Sequence, residues 1–277
     1  MLPRLIKKIC EFYRIKDWFK NLGLCLIAYT TNVFPTFEIA FLNLIQSSLL
    51  LAYFFAMNNF FDFKIAKEKN YIASLKMKDK QILLLCTLPL FLILPTLPIK
   101  YNNTFLTLII LFIVLSTLYS CPPRFRDHTI IDVLMNCTIF SVLYLQAYFF
   151  FNEKLNNRTI LFLFITFTYF LFHELLHQLA HFKKDKKSGR ITTAIFLGFN
   201  QTIATLKNLL LIYILIAFIS IFIFQNLNQF FIVMFVFNLL RYNKIRKINR
   251  MTNLQYLRDN VYGIYEWGLY LLLNIGY

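Results

Sequence analysis

The sequence predicts an all-α fold, a polytopic membrane bundle of about nine transmembrane helices. Three observations carry that prediction. Of the 277 residues, 58% are hydrophobic and only 15% are charged, where a soluble domain carries nearer a quarter. The runs Leu42 to Phe61, Phe105 to Leu118 and Leu209 to Phe224 hold no charge, and about 20 such residues span a bilayer. Finally, the basic residues alternate from one connection to the next. A net charge of +16 would otherwise suggest nucleic acid, but here it follows the positive-inside rule, and no nucleic-acid partner is expected.

In order, the apolar spans are Trp18–Phe34, Ala40–Phe61, Gln81–Leu97, Phe105–Tyr119, Ile130–Phe151, Ile160–Ala180, Leu209–Phe224, Phe230–Leu240 and Val261–Gly276. The arm through Lys20 and residues 62–80, 120–129, 182–208 and 241–260 hold 26 of the 29 Lys and Arg residues. The alternate connections hold Lys100, Lys154 and Arg158. This sorting predicts a multi-pass protein of the cell inner membrane, with a cytoplasmic N-terminus and its C-terminus on the far side. Phe230–Leu240 is short unless it continues through Arg241 and Tyr242. Residues 190–207 carry Thr192, Thr193, Asn200, Gln201 and Thr202, too polar to face lipid, and read as the wet, cavity-lining start of the seventh span. Short linkers and the lack of a soluble segment predict one domain over residues 1–277.

The five cysteines (Cys10, Cys25, Cys86, Cys121, Cys137) lie in or beside apolar runs with no C-x-x-C pair, so they read as small buried hydrophobes. The basic N-terminal arm lacks the short apolar core and small-residue cleavage site of a removable signal peptide.

Chemistry concentrates at the helix ends assigned to the cytoplasm. Asn58-Asn59-Phe60-Phe61-Asp62 follows an unbroken apolar run, and Asn58 and Asp62 share a helix face. Pro122-Pro123-Arg124-Phe125-Arg126, Asp132, and the stretch from His181 to Gly189 fall at the same face. Carboxylates and amides among lysines and arginines suit a magnesium-bound diphosphate, with hard oxygens for Mg²⁺ and cations for phosphate charge. Solvated basic loops on anionic lipid head groups are the plainer reading for Lys76, Lys78 and Lys80. Further along, His173, His177 and His181 recur every four residues within an apolar helix.

These residues resemble a known family. Asn58-Asn59-Phe60-Phe61-Asp62 is similar to the N-D-x-x-D-x-x-x-D motif of the UbiA superfamily of intramembrane prenyltransferases. Tyr119-Ser120-Cys121-Pro122-Pro123-Arg124 resembles its Y-S-x-P-P-[RK] segment, and His181 to Gly189 resembles its D-x-x-x-D-x-x-x-G motif. Trp18-Phe19-Lys20-Asn21 is similar to the W-x-K-N opening of the branch containing polyprenyl-phosphate phosphoribosyltransferases. The resemblance implies a bundle around a central cavity that opens to lipid. It implies a polyprenyl diphosphate donor, Mg²⁺, and an aromatic or lipid acceptor. By the same resemblance Asn58, Asp62 and Asp185 are the catalytic metal–diphosphate ligands, joined by His181 at the head of the second motif. Lys20, Lys64 and Arg124 neutralise phosphate, while His173, His177, Gln178 and Asp132 line the cavity toward the acceptor. The motifs are incomplete: Asn59, Ala66 and His181 stand where aspartates are expected, so Asp62 and Asp185 supply the motif charge, with Glu68 a doubtful substitute.

Three other readings stay open from the sequence. The scaffold could take phosphoribosyl diphosphate as donor. His173-Glu174-Leu175-Leu176-His177 matches H-E-x-x-H, in which two histidines bind zinc and the glutamate acts as base. A non-catalytic family relative is the third.

Overall fold

The computed structural model describes residues 2–30, 35–65, 71–74, 77–97, 103–187, 189–224 and 228–246. Eleven α-helices and no strand occur among them: α1 (Leu2–Phe12), α2 (Ile15–Trp18), α3 (Gly23–Thr30), α4 (Phe37–Lys64), α5 (Asp79–Ile93), α6 (Asn103–Ser120), α7 (Ile131–Phe149), α8 (Asn157–Lys187), α9 (Thr193–Leu197), α10 (Phe199–Ile223) and α11 (Asn228–Arg246). Six of the described segments are long and apolar enough to cross a membrane: Phe37–Lys64, Asp79–Thr96, Asn103–Ser120, Ile131–Phe149, Asn157–Lys187 and Phe199–Ile223. They correspond to six of the nine expected spans. The first expected span begins as a short 3₁₀ turn, Phe19–Leu22, followed by α3. The last, Val261–Gly276, lies outside the described residues, as do Ala66, Glu68 and Lys76.

Two structural units divide the chain, one of Met1–Arg126 with Thr138–Leu163, the other of Asp127–Cys137 with Phe164–Tyr277. In the first unit α4 packs against α5 and α6. Phe12 of α1 joins Tyr53, Ala56, Met57, Phe60, Ile72, Ile82 and Cys86 in one buried cluster. The Tyr13 hydroxyl donates to the Leu85 carbonyl at 2.9 Å, and burial pushes its phenol up to about 12.

Fully buried polar residues also hold this unit together. The Tyr29 hydroxyl donates to Asn43 Oδ1 at 2.8 Å. Gln146 Nε2 donates to Gln46 Oε1 at 2.7 Å, and Ser47 Oγ to Gln146 Oε1 at 3.1 Å. These bonds tie α4 to α3 and α7. In hydrocarbon the alternative is a polar group with no water to meet it, and each interhelical bond contributes roughly 0.6 kcal/mol on average.

In the second unit α10 packs along α11. The short eighth span of the sequence reading is longer here, because α11 continues past Arg241 to Arg246. The polar start of the seventh span is not one helix but two. Gly198 has φ 81° and ψ 159°, a backbone region that only glycine enters without strain, and it ends α9 and starts α10. Thr192 caps α9 by accepting from the Ile195 amide at 3.4 Å, and Thr192, Thr193 and Thr202 are buried. Their polarity therefore serves the interior. No atom stands within 4 Å of where a Gly198 side chain would begin, so the cost of Gly198→Ala is backbone strain alone, about 1–3 kcal/mol. A lower melting temperature in detergent, with no new steric contact, is the expected result.

Candidate active site

On the first unit, Asn58 and Asp62 lie four residues apart on α4, one turn before its end at Lys64. The 28-residue helix delivers them because the apolar run before them is unbroken. Asp62 is 4% exposed. Its Oδ1 accepts from Arg124 Nη2 at 2.8 Å and also from Arg126 Nη1. The same Arg126 nitrogen donates to Asn58 Oδ1 at 2.7 Å, and Arg124 Nη1 donates to the Phe61 carbonyl at 2.8 Å. The loop between α6 and α7 makes this possible. Residues Pro122-Pro123 adopt a cis peptide, and Arg124 takes a left-handed conformation with φ 58°.

One nitrogen of Arg126 thus touches both an amide oxygen and a carboxylate oxygen of α4. That is a cation held by two hard oxygen donors, and a divalent cation asks for the same donors. Mg²⁺ keeps several waters and draws further oxygens from substrate phosphates, so two protein donors are adequate. Asn58 and Asp62 are thus oxygen donors on α4 of the kind that would suit such a cation. Arg124 and Arg126 carry permanent planar charge suited to bidentate contact with phosphate oxygens.

The other basic residues of this unit are placed differently. Lys64 is exposed and its Nζ pairs with Asp79 Oδ2, so here its charge goes to a carboxylate. Lys20 sits exposed in the turn after Trp18; the buried Trp18 ring anchors that turn, donating Nε1 to the Tyr13 carbonyl at 2.7 Å. Two turns before Asp62, Phe54 meets Phe112, Tyr119 and Phe140 edge-on, with centroids 5.6–6.4 Å apart. Cys121, beside the loop, has its thiol pushed up to about 11 by burial, an inert sulfur.

The second unit gathers a separate polar cluster. Gln178, 3% exposed, donates Nε2 to Asp132 Oδ2 at 3.0 Å and to Glu174 Oε1 at 3.3 Å. Its Oε1 accepts from the Ala194 amide at 3.1 Å. Asn136 Nδ2 donates to Glu174 Oε2 at 2.9 Å, and the Ile130 amide donates to Thr193 Oγ1 at 2.9 Å. Asp132 and Asn136 are one turn apart on α7, Glu174 and Gln178 one turn apart on α8, so each helix offers one matching face. The histidines occupy another face of α8: His173 packs on Tyr169 at 4.2 Å, and His177, exposed, meets His181 at 4.8 Å. Asp185 is half-buried among exposed lysines near the end of α8.

Among the described residues, no three of His, Cys, Asp and Glu gather closely enough to hold a metal. Glu174, the base of the H-E-x-x-H pattern, is bound by two amides. The pattern is accounted for as hydrogen bonding and packing. Helical spacing alone pairs Asp132 with Asn136 and Glu174 with Gln178, and Arg126 shares its loop with Arg124; what the sequence did not show is that Arg126 meets Asn58 and Asp62 and that Glu174 accepts from Asn136.

The model of the UbiA prenyltransferase family matches residues 22–255. A UbiA homolog from Archaeoglobus fulgidus bound to GPP and Mg²⁺ superposes with a TM-score of 0.75 at 18% identity, covering 97% of each chain. The homolog from the same organism bound to DMAPP and Mg²⁺ gives 0.72 at 16% identity, over 96% of this chain and 99% of that one. A structure described as digeranylgeranylglyceryl phosphate synthase in membranes gives 0.70 at 15% identity, over 97% and 96%. No curated protein matches by sequence. Such low identities establish the fold alone, while the family model spans most of the chain, from the start of the first span to beyond α11. The chain is an integral membrane protein that belongs to the UbiA prenyltransferase family.

Proposed function

We propose that this protein transfers a prenyl group from its diphosphate to an aromatic or lipid acceptor at the cytoplasmic face of an inner membrane. The observation that carries the reading is the Asn58–Asp62 pair gripping a guanidinium nitrogen, with a second guanidinium on the same carboxylate. The relatives bound to GPP or DMAPP with Mg²⁺ support the same donor and metal here.

In this reading Asn58 and Asp62 would hold Mg²⁺, whose bound charge would stabilise the leaving diphosphate. Asp185 is assigned as a further metal–diphosphate ligand, and His181 beside it, by place in the second motif. Arg124 and Arg126 turn from Asp62 to the phosphate oxygens, with Lys20 as an exposed cation that can follow and Lys64 released from Asp79. The bond between the first prenyl carbon and its diphosphate oxygen breaks, and both electrons leave with the diphosphate. The acceptor attacks that carbon and gives up one proton. Asp132 and Glu174, steadied by Gln178 and Asn136, are the carboxylates of the second cluster that can take it, while His173 and His177 border them. The orientation with a cytoplasmic N-terminus follows from the basic connections.

The experiment is GPP binding to detergent-purified protein in Mg²⁺ and in EDTA, alongside phosphoribosyl diphosphate. Mg²⁺-dependent binding of GPP, weakened in Asp185→Ala, is the expected result. Binding of phosphoribosyl diphosphate in its place would move the donor assignment to the other branch, and binding of neither would remove the transferase reading.

A further inference from the structure

Helix α1 has the sequence LPRLIKKICEF, and its residues 6–12 divide between two faces at helical spacing. Ile6, Ile9 and Phe12 fall on one face, Lys7, Lys8 and Glu11 on the other. Phe12 is buried in the cluster that holds Tyr53, Met57 and Phe60 of α4. Ile6 and Ile9, on the same face, are 51% and 45% exposed. The apolar stripe thus begins in the core of the first unit and runs out of it. Neither the diphosphate site nor the Gln178 cluster uses any of these residues.

The surroundings of α1 say what covers the exposed part of the stripe. Tyr53, Met57 and Phe60 belong to a helix long and apolar enough to cross a membrane. The Tyr13 hydroxyl reaches the Leu85 carbonyl of α5, a second such helix, beside the exposed Leu84 and Leu88. The C-terminal end of α1 is therefore fastened to two membrane-crossing helices, and the lipid bordering α5 is continuous with the space around α1. The polar side carries the matching charge. Arg4, Lys7 and Lys8 stand against one acid, Glu11, in α1, and Lys16 follows, exposed. Lys7 approaches Glu11 at 3.9 Å, but its side chain is 77% exposed, and an exposed pair of this kind contributes little. A helix with an apolar stripe and a basic polar face is the form that lies in the plane of a membrane interface.

We propose that α1 is an in-plane anchor that binds anionic phospholipid of the surrounding bilayer. Ile6 and Ile9 enter the acyl boundary, and Lys7 and Lys8 meet the head-group phosphates. Removing the two isoleucines from water drives the insertion, and the basic face supplies the preference for anionic over zwitterionic lipid. The bilayer is the occupant because it is present wherever α4 and α5 cross it, at the same end of α4 to which Phe12 is fastened. The proposal rests on membrane insertion alone and is independent of the prenyl-transfer reading.

The test uses the full chain in nanodiscs of phosphatidylcholine, with and without phosphatidylglycerol. With the parent signal subtracted, Ile9→Trp should lose fluorescence to brominated acyl chains, and Glu11→Trp should keep it. Phosphatidylglycerol should raise the melting temperature, and Ile6→Ser combined with Ile9→Ser should lose that rise. Lys7→Gln combined with Lys8→Gln should weaken the apparent affinity for phosphatidylglycerol by about fivefold per lysine. Lys7→Arg combined with Lys8→Arg should retain it. An Ile9→Trp signal insensitive to the brominated chains, or equal loss in Glu11→Trp, would overturn the anchor and turn the search to a protein on that face. Equal stabilisation by the two lipids, or an undiminished phosphatidylglycerol preference in the double glutamine variant, would overturn the assignment of anionic lipid.

Discussion

Asp62→Ala is expected to abolish Mg²⁺-dependent GPP binding and to destabilise the protein at the same time. The carboxylate side chain is 5% exposed and lies between Arg124 and Arg126. Removing one partner of a buried ion pair costs about 3–5 kcal/mol, because the remaining charge stays buried without its counterpart. Here two guanidiniums lose the same carboxylate. The ligand side compounds the loss, since Asn58 alone brings an oxygen but no charge to a divalent cation. A fall in GPP affinity of about 10²–10³-fold corresponds to the same energy range. Two controls separate binding from folding. Asp62→Asn preserves size and should bind GPP weakly even where it folds. Asp62→Ala combined with Arg126→Met removes a positive charge along with the carboxylate and should recover part of the lost melting temperature. Undiminished Mg²⁺-dependent binding by a folded Asp62→Asn would exclude Asp62 as a metal ligand.

Gln178→Leu is the second large effect, on stability more than on the donor site. Gln178 satisfies three groups, the Asp132 and Glu174 carboxylates and the Ala194 amide. Leucine removes all three bonds; at about 1–3 kcal/mol per buried group, with Asp132 and Ala194 buried and Glu174 half-buried, a total loss of about 2–6 kcal/mol is expected. The Ala194 bond matters most for local structure, because it fastens α9 to α8. The variant should show a lower melting temperature and faster hydrogen exchange over Thr193–Leu197. Gln178→Glu should be worse than Gln178→Leu above the pH at which carboxylates ionise. It would add a third negative charge beside Asp132 and Glu174. A Gln178→Leu protein as stable as the parent would show that water or a rearranged Asn136 supplies the missing bonds.

Much of the molecule was legible because hydrocarbon imposes a length and a sign on the chain. Leu42 to Phe61 could only be a helix long enough to carry Asn58 and Asp62 to its end, and spacing alone put those two on one face. Arg124 was legible from its motif. By contrast Arg126 lay in a recognised loop, but its meeting with Asn58 and Asp62, 68 and 64 positions away, has no local signature. Gln46 and Gln146 are one hundred positions apart, and no local pattern pairs them. The break at Gly198 was hidden because a polar segment in an apolar run reads equally well as a wet helix or as a bend.

The sequence by itself determined that the chain spans a membrane, roughly where the spans begin and end, and which connections carry the positive charge. Those properties follow from each residue's own transfer energy and from helical periodicity, which are local. Only the tertiary structure decided which cations meet Asp62, that Gln178 and Asn136 hold Glu174, and that Gln146 meets Gln46. Each of these depends on which partner a buried charge or amide finds across helices, and in a low-dielectric interior that partner sets whether the group stabilises the fold or costs it energy.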